Sequence, residues 1–261
     1  MIVTQTLKQR IYAGEVVHGC WINLGSTFSA EIVARAGFDW VLIDLEHGAN
    51  DVEFAVRILQ VVGGLPPTAI IRTDELSRPQ IQRILDGGAN GIMFPRIETP
   101  TEAEFAVQTM YYPPRGVRGM ARQVRATGFG RHAEDYLTNL EKSLVNIIQI
   151  ETVDALKNVD KIAAIPGVDV LFVGPTDLSL AMGILGQLQH ENYQKAIRDV
   201  AAAAKKHGKC AGVLLNDPSE YEMYYKLGYR FLNSGADTAF VARSAADMVK
   251  KLKDLAASMN K

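Results

Sequence analysis

The feature that most constrains the fold is a series of eight apolar runs that alternate with segments of helical periodicity. The runs are rich in Val, Ile, Leu and Phe and read VVHGCWIN, DWVLIDLEH, PTAIIRT, GIMFPR, VNIIQIET, VDVLFVGPTD, KCAGVLL and YRFLNS. Continuous apolar runs suit strands buried on both faces, and their alternation with helices indicates parallel βαβ units. Eight such units predict an α/β fold of the (β/α)8 or TIM barrel type, in which side chains beyond the C-terminal strand ends converge on one mouth.

The length of the chain fits one such barrel with little left over. A (β/α)8 barrel typically takes about 250 residues, and this sequence has 261. Neither a Ser/Gly linker nor a repeated block divides the sequence, so we predict a single barrel domain over residues 1–261. One irregular segment interrupts the alternation, between Pro113 and Arg131.

Composition and charge exclude several classes of partner. Hydrophobic residues make up 48% of the chain, charged residues 22%, and the formal net charge is −1. No overall positive field would draw the protein to nucleic acid or to an anionic membrane. No apolar stretch approaches the roughly 18 residues that a membrane span needs, and the start MIVTQTLKQR lacks the apolar core of a signal sequence. We therefore expect a cytoplasmic protein with neither a nucleic-acid nor a membrane partner.

Two acidic residues stand at the ends of neighbouring predicted strands. Glu151 ends the fifth strand and Asp177 follows the sixth. Adjacent strand ends lie close together in a barrel, where two carboxylates repel each other unless a cation lies between them. Hard divalent ions such as Mg²⁺ and Mn²⁺ take oxygen ligands and leave positions open for a substrate. The alternative interpretation is that Glu151 caps the next helix and that Asp177 caps the segment LSLAMG.

A histidine and an arginine follow the second and third strands. His47 stands after Asp44 and Glu46, where an imidazole of near-neutral pKa can act as acid or base. Its tautomer would be fixed by Asp44 or by the more distant Asp86. Arg72 ends the third strand, where its guanidinium can stabilise an oxyanion or simply form a salt bridge with a neighbouring acid.

The irregular segment is strongly basic. It contains no acid between its first and last arginines, and the five are Arg115, Arg118, Arg122, Arg125 and Arg131. Such a run of charge is either a solvated face or a cover over a barrel mouth that binds an anionic substrate tail. The covered mouth would belong to the same chain or to a neighbouring subunit.

Several motifs together resemble one family. The motifs DWVLIDLEHG, PPTAIIR, ILDGGANGIMFPRIET, PPRGVRG, IIQIET and VGPTDLSLAMG look like those of the HpcH/HpaI aldolases, in the same order and over most of the chain. These are metal-dependent class II pyruvate aldolases. The resemblance implies a barrel of the phosphoenolpyruvate/pyruvate type. It also implies a homohexamer, built as a trimer of dimers, whose paired subunits exchange the C-terminal helix, here the stretch after Asp237.

The resemblance also implies roles for individual residues. Glu151 and Asp177 would bind a divalent metal ion, Mg²⁺, Mn²⁺ or Co²⁺. His47 would act as acid/base with support from Asp44 and Asp86. The substrate-binding residues that it implies are Trp21, Arg72, Gln149, Gly174, Pro175, Thr176, Asp177 and Leu214.

The reaction implied by the resemblance is reversible retro-aldol cleavage of a 4-hydroxy-2-keto acid to pyruvate and an aldehyde. A related metal-dependent lyase or decarboxylase, acting for example on oxaloacetate, would use the same metal and arginine. A barrel that only binds keto acids would take up pyruvate without turnover. A Schiff-base aldolase needs a lysine in the mouth, whereas Lys209 begins the seventh predicted strand at the opposite rim.

Overall fold

In the computed structural model, which describes residues 5–259, eight parallel strands close into a barrel. Hydrogen bonds join them in chain order, and the eighth strand pairs with the first. The predicted (β/α)8 fold is therefore confirmed. The strands are β1 (Val17–Ile22), β2 (Trp40–Asp44), β3 (Thr68–Arg72), β4 (Gly91–Phe94), β5 (Val145–Ile150), β6 (Val170–Val173), β7 (Cys210–Leu214) and β8 (Tyr229–Ala236).

Helices precede, connect and follow the strands. They are α1 (Leu7–Tyr12), α2 (Thr27–Ala34), α3 (Val52–Val62), α4 (Arg78–Asp86), α5 (Pro100–Met110), α6 (Ala133–Ser143), α7 (Val153–Lys157), α8 (Val159–Ala163), α9 (Pro175–Ala181), α10 (Glu191–Lys206), α11 (Tyr221–Leu227) and α12 (Asp237–Met259). The Gly-containing run GPTDLSLAMGILGQ after the sixth strand predicts a loop, but the structure has α9 within it. Pro175 is nevertheless compatible with a first helical turn, because its missing N–H would have no helical partner there.

Large side chains fill the inside of the barrel towards the N-terminal strand ends. Leu7 and Ile11 of α1 pack against these interior side chains at the N-terminal end of the barrel. The indole of Trp40 stacks on Phe231 with ring centroids 4.2 Å apart. Gly19 makes room for that indole, since a Cβ there would lie 2.1 Å from a ring atom. The interior of the barrel is thus filled at its N-terminal end.

The basic segment lies against the N-terminal rim. The Arg125 guanidinium donates to the carbonyls of Leu59 and Gly87, at the C-terminal ends of α3 and α4, over 2.9 and 2.8 Å. The buried Arg118 pairs with Asp86 at 2.7 Å. The segment therefore does not cover the mouth of its own chain, because helices α3 and α4 end at the opposite rim.

The C-terminal helix leaves the barrel with only its first residue buried. The carboxylate of Asp237 accepts hydrogen bonds from the Asn23 amide at 2.8 Å and the Ser29 hydroxyl at 2.6 Å. All later described residues of α12 are exposed. Its exposed apolar side chains include Phe240, Val241, Met248, Val249, Leu252 and Leu255. Within residues 5–259, no helix has the length and apolar character needed to cross a membrane.

Candidate active site

A cavity of about 290 Å³ occupies the mouth of the barrel. Its lining contains every residue that the sequence predicted to contact substrate, together with His47 and Phe172. The lining residues are Trp21, His47, Arg72, Gln149, Phe172, Gly174, Pro175, Thr176, Asp177 and Leu214. A larger cavity of about 450 Å³ lies at the N-terminal rim. The charges that line it, Arg10 and Asp39, are already paired at 2.8 Å, so we place the chemistry at the mouth.

Arg72 is held rigidly at the end of β3. Asp44 is its neighbour on β2, and the carboxylate accepts from the Arg72 Nε at 2.8 Å and Nη2 at 2.6 Å. The Trp21 indole lies 4.0 Å from the guanidinium carbon, in a cation–π contact. The salt bridge that the sequence suggested is therefore present. Since a guanidinium has five N–H groups, Asp44 leaves donors available for an oxyanion in the cavity.

Asp44 also organises the loop that carries His47. Besides Arg72, its side chain accepts from Asn23 Nδ2 at 2.9 Å and from the backbone amides of Glu46 and His47 at 3.0 and 3.4 Å. It thus contacts the backbone of His47 rather than the imidazole. The imidazole is 62% exposed, and its Nε2 lies 3.9 Å from Glu46 Oε1.

Asp86, the other predicted partner of His47, lies elsewhere. It is the last residue of α4, five residues before β4 begins, and it pairs with Arg118. The helices run antiparallel to the strands, so the end of α4 is at the N-terminal rim. His47 follows the C-terminal end of β2. The structure therefore does not bring Asp86 to His47 within one chain.

Glu151 is buried at the end of β5. It accepts from the Arg96 backbone amide at 2.7 Å and from Gln149 Nε2 at 2.9 Å. Burial, together with the nearby charges of Glu46 and Asp177, raises the pKa of Glu151 to about 7. A carboxyl group with other carboxylates nearby is a favourable site for a cation, because the cation would reduce the repulsion between them.

The capping interpretation of the two predicted metal ligands is wrong. Thr152, not Glu151, caps α7 through a hydrogen bond from the Ala155 amide. Gly174 occupies the N-cap position of α9, and Asp177 lies within the first helical turn. Both carboxylates are thus free of the capping role that the sequence left open.

The donor set at the mouth fits a divalent cation with few protein ligands. Within residues 5–259, no group of three or more His, Cys, Asp or Glu side chains is arranged to hold a metal ion. Glu151 and Asp177 offer hard oxygen donors, and Gln149 Oε1 is a buried acceptor without a hydrogen-bond partner in the described chain. Such a pair leaves most coordination positions to substrate and water, as catalytic sites require.

Two contributions to the site, from Phe172 and from the backbone of Arg96, were missed by the sequence reasoning. Phe172 lies two residues after Val170 on the inward face of β6, so the strand period would have found it. Gly174, which the resemblance implied as a substrate-binding residue, also makes room for the metal site, because a Cβ there would lie 3.0 Å from Glu151 Oε2. Arg96 donates its amide from a left-handed backbone with φ of 53°. No pattern in the sequence predicts the left-handed conformation of Arg96, which costs about 1 kcal/mol or more.

Comparison with known proteins gives consistent matches. The sequence model of the HpcH/HpaI aldolase/citrate lyase family matches residues 18–244. A hydroxypyruvate/pyruvate aldolase from Paraburkholderia phytofirmans is 37% identical over 96% of this chain and 98% of the relative. A 4-hydroxy-2-oxo-heptane-1,7-dioate aldolase from Klebsiella pneumoniae is 36% identical over 93% and 92%. A family protein from Burkholderia cenocepacia superposes with a TM-score of 0.90 at 37% identity, covering 95% of this chain and 98% of that one.

Proposed function

Because the chain belongs to the HpcH/HpaI aldolase/citrate lyase family, we propose that it is a divalent-metal-dependent aldolase. Its reaction is the reversible cleavage of a 4-hydroxy-2-keto acid to pyruvate and an aldehyde. The observation that carries this proposal is the single cavity at the mouth, which collects Arg72, His47 and Asp177 beside the buried Glu151. The aldolase names of the relatives favour cleavage over the decarboxylase and binding-only alternatives.

Glu151 and Asp177 are the residues that would hold the metal, and Gln149 would orient the keto acid beside them. When bound, a divalent ion polarises the 2-keto group and neutralises charge that develops on its oxygen. The N–H groups of Arg72 that Asp44 does not engage would stabilise the negative charge of that oxygen in the transition state. Asp44 keeps the guanidinium in place for that task.

His47 is the group that moves the proton. Its imidazole takes the proton of the C4 hydroxyl, and the C4–O electron pair forms the carbonyl of the departing aldehyde. The C3–C4 bond breaks, and its electron pair becomes the C2–C3 double bond of a pyruvate enolate. Delivery of a proton to C3 then gives pyruvate.

The cavity also has an apolar wall. Trp21, Phe172 and Leu214 line the cavity together, and the described residues of the lining include no lysine. Lys209 lies at the N-terminal rim, where its ammonium contacts the Ile165 carbonyl. A Schiff-base mechanism therefore has no candidate nucleophile at the mouth. The apolar wall would exclude water from the enolate and receive the carbon chain of the aldehyde.

The test is pyruvate release by purified protein from a panel of 4-hydroxy-2-keto acids. The panel contains 4-hydroxy-2-oxopentanoate and 4-hydroxy-2-oxo-heptane-1,7-dioate, assayed before and after chelation and with Mg²⁺, Mn²⁺ or Co²⁺ restored. We expect activity that is lost to the chelator and recovered with metal. Activity that survives chelation would remove the metal from the proposal, and pyruvate binding without any cleavage would indicate a binding protein.

We also propose that α12 packs on a partner subunit in a homohexamer built as a trimer of dimers. The support is the row of exposed apolar side chains on a helix that its own barrel leaves uncovered, since patches of that kind mark protein interfaces. Light scattering should show an assembly that L252E/L255E reduces in mass. The matched control is K253E, between those two positions, where the wild-type residue is already charged. An unchanged mass for the double variant would contradict the proposal.

A further inference from the structure

Arg96 brings a positive charge to a mouth that is otherwise rich in acids. Among the first three residues after each of the eight strands, it is the only lysine or arginine. The same positions carry six acids, which are Glu46, Asp74, Glu75, Glu151, Asp217 and Asp237. The guanidinium of Arg72 is also at the mouth, but Asp44 accepts two hydrogen bonds from it and Glu46 lies 2.9 Å away. The charge of Arg72 is therefore already balanced by acids.

The guanidinium of Arg96 has no such partner. The residue is exposed, and its side chain forms neither an ion pair nor a hydrogen bond with any residue in the range 5–259. Exposed arginines without partners are common on protein surfaces, so this observation alone assigns no role. The position of Arg96 is what distinguishes it, because its backbone amide donates to Glu151 Oε1 at 2.7 Å. The side chain thus begins beside a proposed metal ligand.

The backbone of Arg96 adopts a conformation that favours glycine. Its φ is 53°, and Phe129 is the only other non-glycine residue with a positive φ in the part of the chain that the structure describes. A glycine at position 96 could direct the same amide at Glu151 without a steric cost. The hydrogen bond to Glu151 therefore does not explain why the residue is an arginine. Unfavourable backbone conformations cluster at active sites and ligand-binding segments, which directs attention to the side chain.

We propose that Arg96 binds an anionic group on the aldehyde half of the substrate, an inference that rests on the proposed function. Arg96 does not line the cavity, so its guanidinium would contact the end of the substrate that extends out of the cavity rather than the reacting carbons. A guanidinium can bind a carboxylate through two parallel N–H···O hydrogen bonds. The substrates that this arrangement favours are 4-hydroxy-2-keto acids with a second carboxylate at the far end.

The experiment compares two substrates that differ only at that end. The chain of 4-hydroxy-2-oxo-heptane-1,7-dioate ends in a carboxylate, and that of 4-hydroxy-2-oxoheptanoate ends in a methyl group. We measure the ratio of their kcat/KM values for the metal-loaded wild type and for R96G. Glycine fits the left-handed backbone and keeps the amide that donates to Glu151, so the variant isolates the contribution of the side chain.

We expect the ratio of diacid to monoacid to fall about five- to tenfold in R96G, as for the loss of one charge-assisted contact at a partly exposed site. The difference between wild type and R96G should shrink in about 1 M salt, which screens exposed charges. R96K keeps the charge but not the planar pair of donors, so its ratio should lie between the other two. R83A is the control and should leave the ratio unchanged, since Arg83 is also exposed but lies in the last turn of α4, at the opposite rim.

An unchanged ratio in R96G would overturn the inference. If both rates fell equally, Arg96 would act only through Glu151 or the fold. If the ratio were unchanged and light scattering showed a smaller assembly, the guanidinium would belong to a contact between subunits. A wild type that cleaves neither substrate would instead contradict the proposed function itself, and a wild type that cleaves both shows that the proposed function holds whatever R96G does.

Discussion

The two rims of the barrel shift the pKa values of carboxyl groups in opposite directions. Asp39, at the N-terminal rim, is partly buried, which opposes its ionisation. Hydrogen bonds from His18 and the ion pair with Arg10 nevertheless lower the pKa of this carboxyl to about 2. At the mouth, burial and the neighbouring acids Glu46 and Asp177 raise the pKa of Glu151 to about 7. One carboxyl is stabilised in its charged form by its surroundings, and the other is not.

The difference extends to neighbouring groups. Asp169, buried at the N-terminal rim, binds the Lys8 ammonium at 3.0 Å, the Tyr12 hydroxyl at 2.7 Å and the Asn146 amide at 2.8 Å. At the mouth, the buried Gln149 Oε1 has no hydrogen-bond donor among the described residues. The N-terminal rim thus supplies stability, whereas the mouth leaves acceptors that a cation and a substrate can satisfy.

The largest effect should come from Arg72→Ala. We expect kcat for cleavage to fall about 10³-fold, equivalent to about 4 kcal/mol, because the guanidinium stabilises the developing oxyanion. Metal affinity, measured by calorimetry, should remain close to wild type. Arg125→Ala at the other rim is the control, since Arg125 donates only to helix carbonyls and should leave kcat unchanged. Normal turnover by the Arg72 variant would remove it from the mechanism.

Asp169→Asn should have the opposite profile. The substitution leaves the nearly buried Lys8 ammonium without its counter-charge, so the free energy of unfolding in urea should fall by about 3 kcal/mol. The kcat of the folded protein should not change. Asp154→Asn, which breaks an exposed pair with Lys157, is the control and should cost less than about 1 kcal/mol. A loss of kcat without a loss of stability in the Asp169 variant would contradict the assignment of stability to the N-terminal rim and of catalysis to the mouth.

Gly174→Ala should weaken the metal site. The new methyl group would lie 3.0 Å from Glu151 Oε2 and displace the carboxylate, so we expect Mn²⁺ affinity to fall about tenfold. Gly64→Ala is the control, since a Cβ at that position meets nothing within 4 Å. Equal Mn²⁺ affinities for the two variants would show that the position of Glu151 is not important for binding.

The smallest effect concerns pH. The folded-state pKa of Glu151 is raised to about 7 from an ordinary value of 4.5, so its ionisation destabilises the metal-free fold. That penalty is absent below about pH 4.5 and complete above about pH 7. We expect Glu151→Gln to raise the Tm of metal-free protein by about 2–4 °C at pH 8 and by little at pH 5. A Tm difference that does not depend on pH would contradict the raised pKa.

Much of the fold follows from local patterns. The strands are predictable because continuous apolar runs can be buried only between the barrel interior and the helices. The convergence of Arg72, Gln149 and Asp177 on one cavity follows from their places at strand ends. Helix α9 was missed because the Gly and Pro around it are also typical of loops.

The remainder depends on tertiary contacts that a sequence does not display. The basic segment is positioned by hydrogen bonds from Arg125 to two helix carbonyls. Any other exposed pair of carbonyls could accept the same hydrogen bonds, so the sequence does not show where the segment binds. The pairing of Asp86 with the buried Arg118 is another tertiary contact of this kind. The roles of His47, Glu151 and Asp177 in catalysis remain predictions.

The buried Asp237 joins the root of α12 to the active site by a short relay. It binds the backbone of Asn23, whose side chain binds Asp44, which in turn holds Arg72. The binding of α12 by a partner subunit should therefore be thermodynamically coupled to the positioning of the Arg72 guanidinium. By mass action, the specific activity of the enzyme should then fall on dilution and recover when protein is added back.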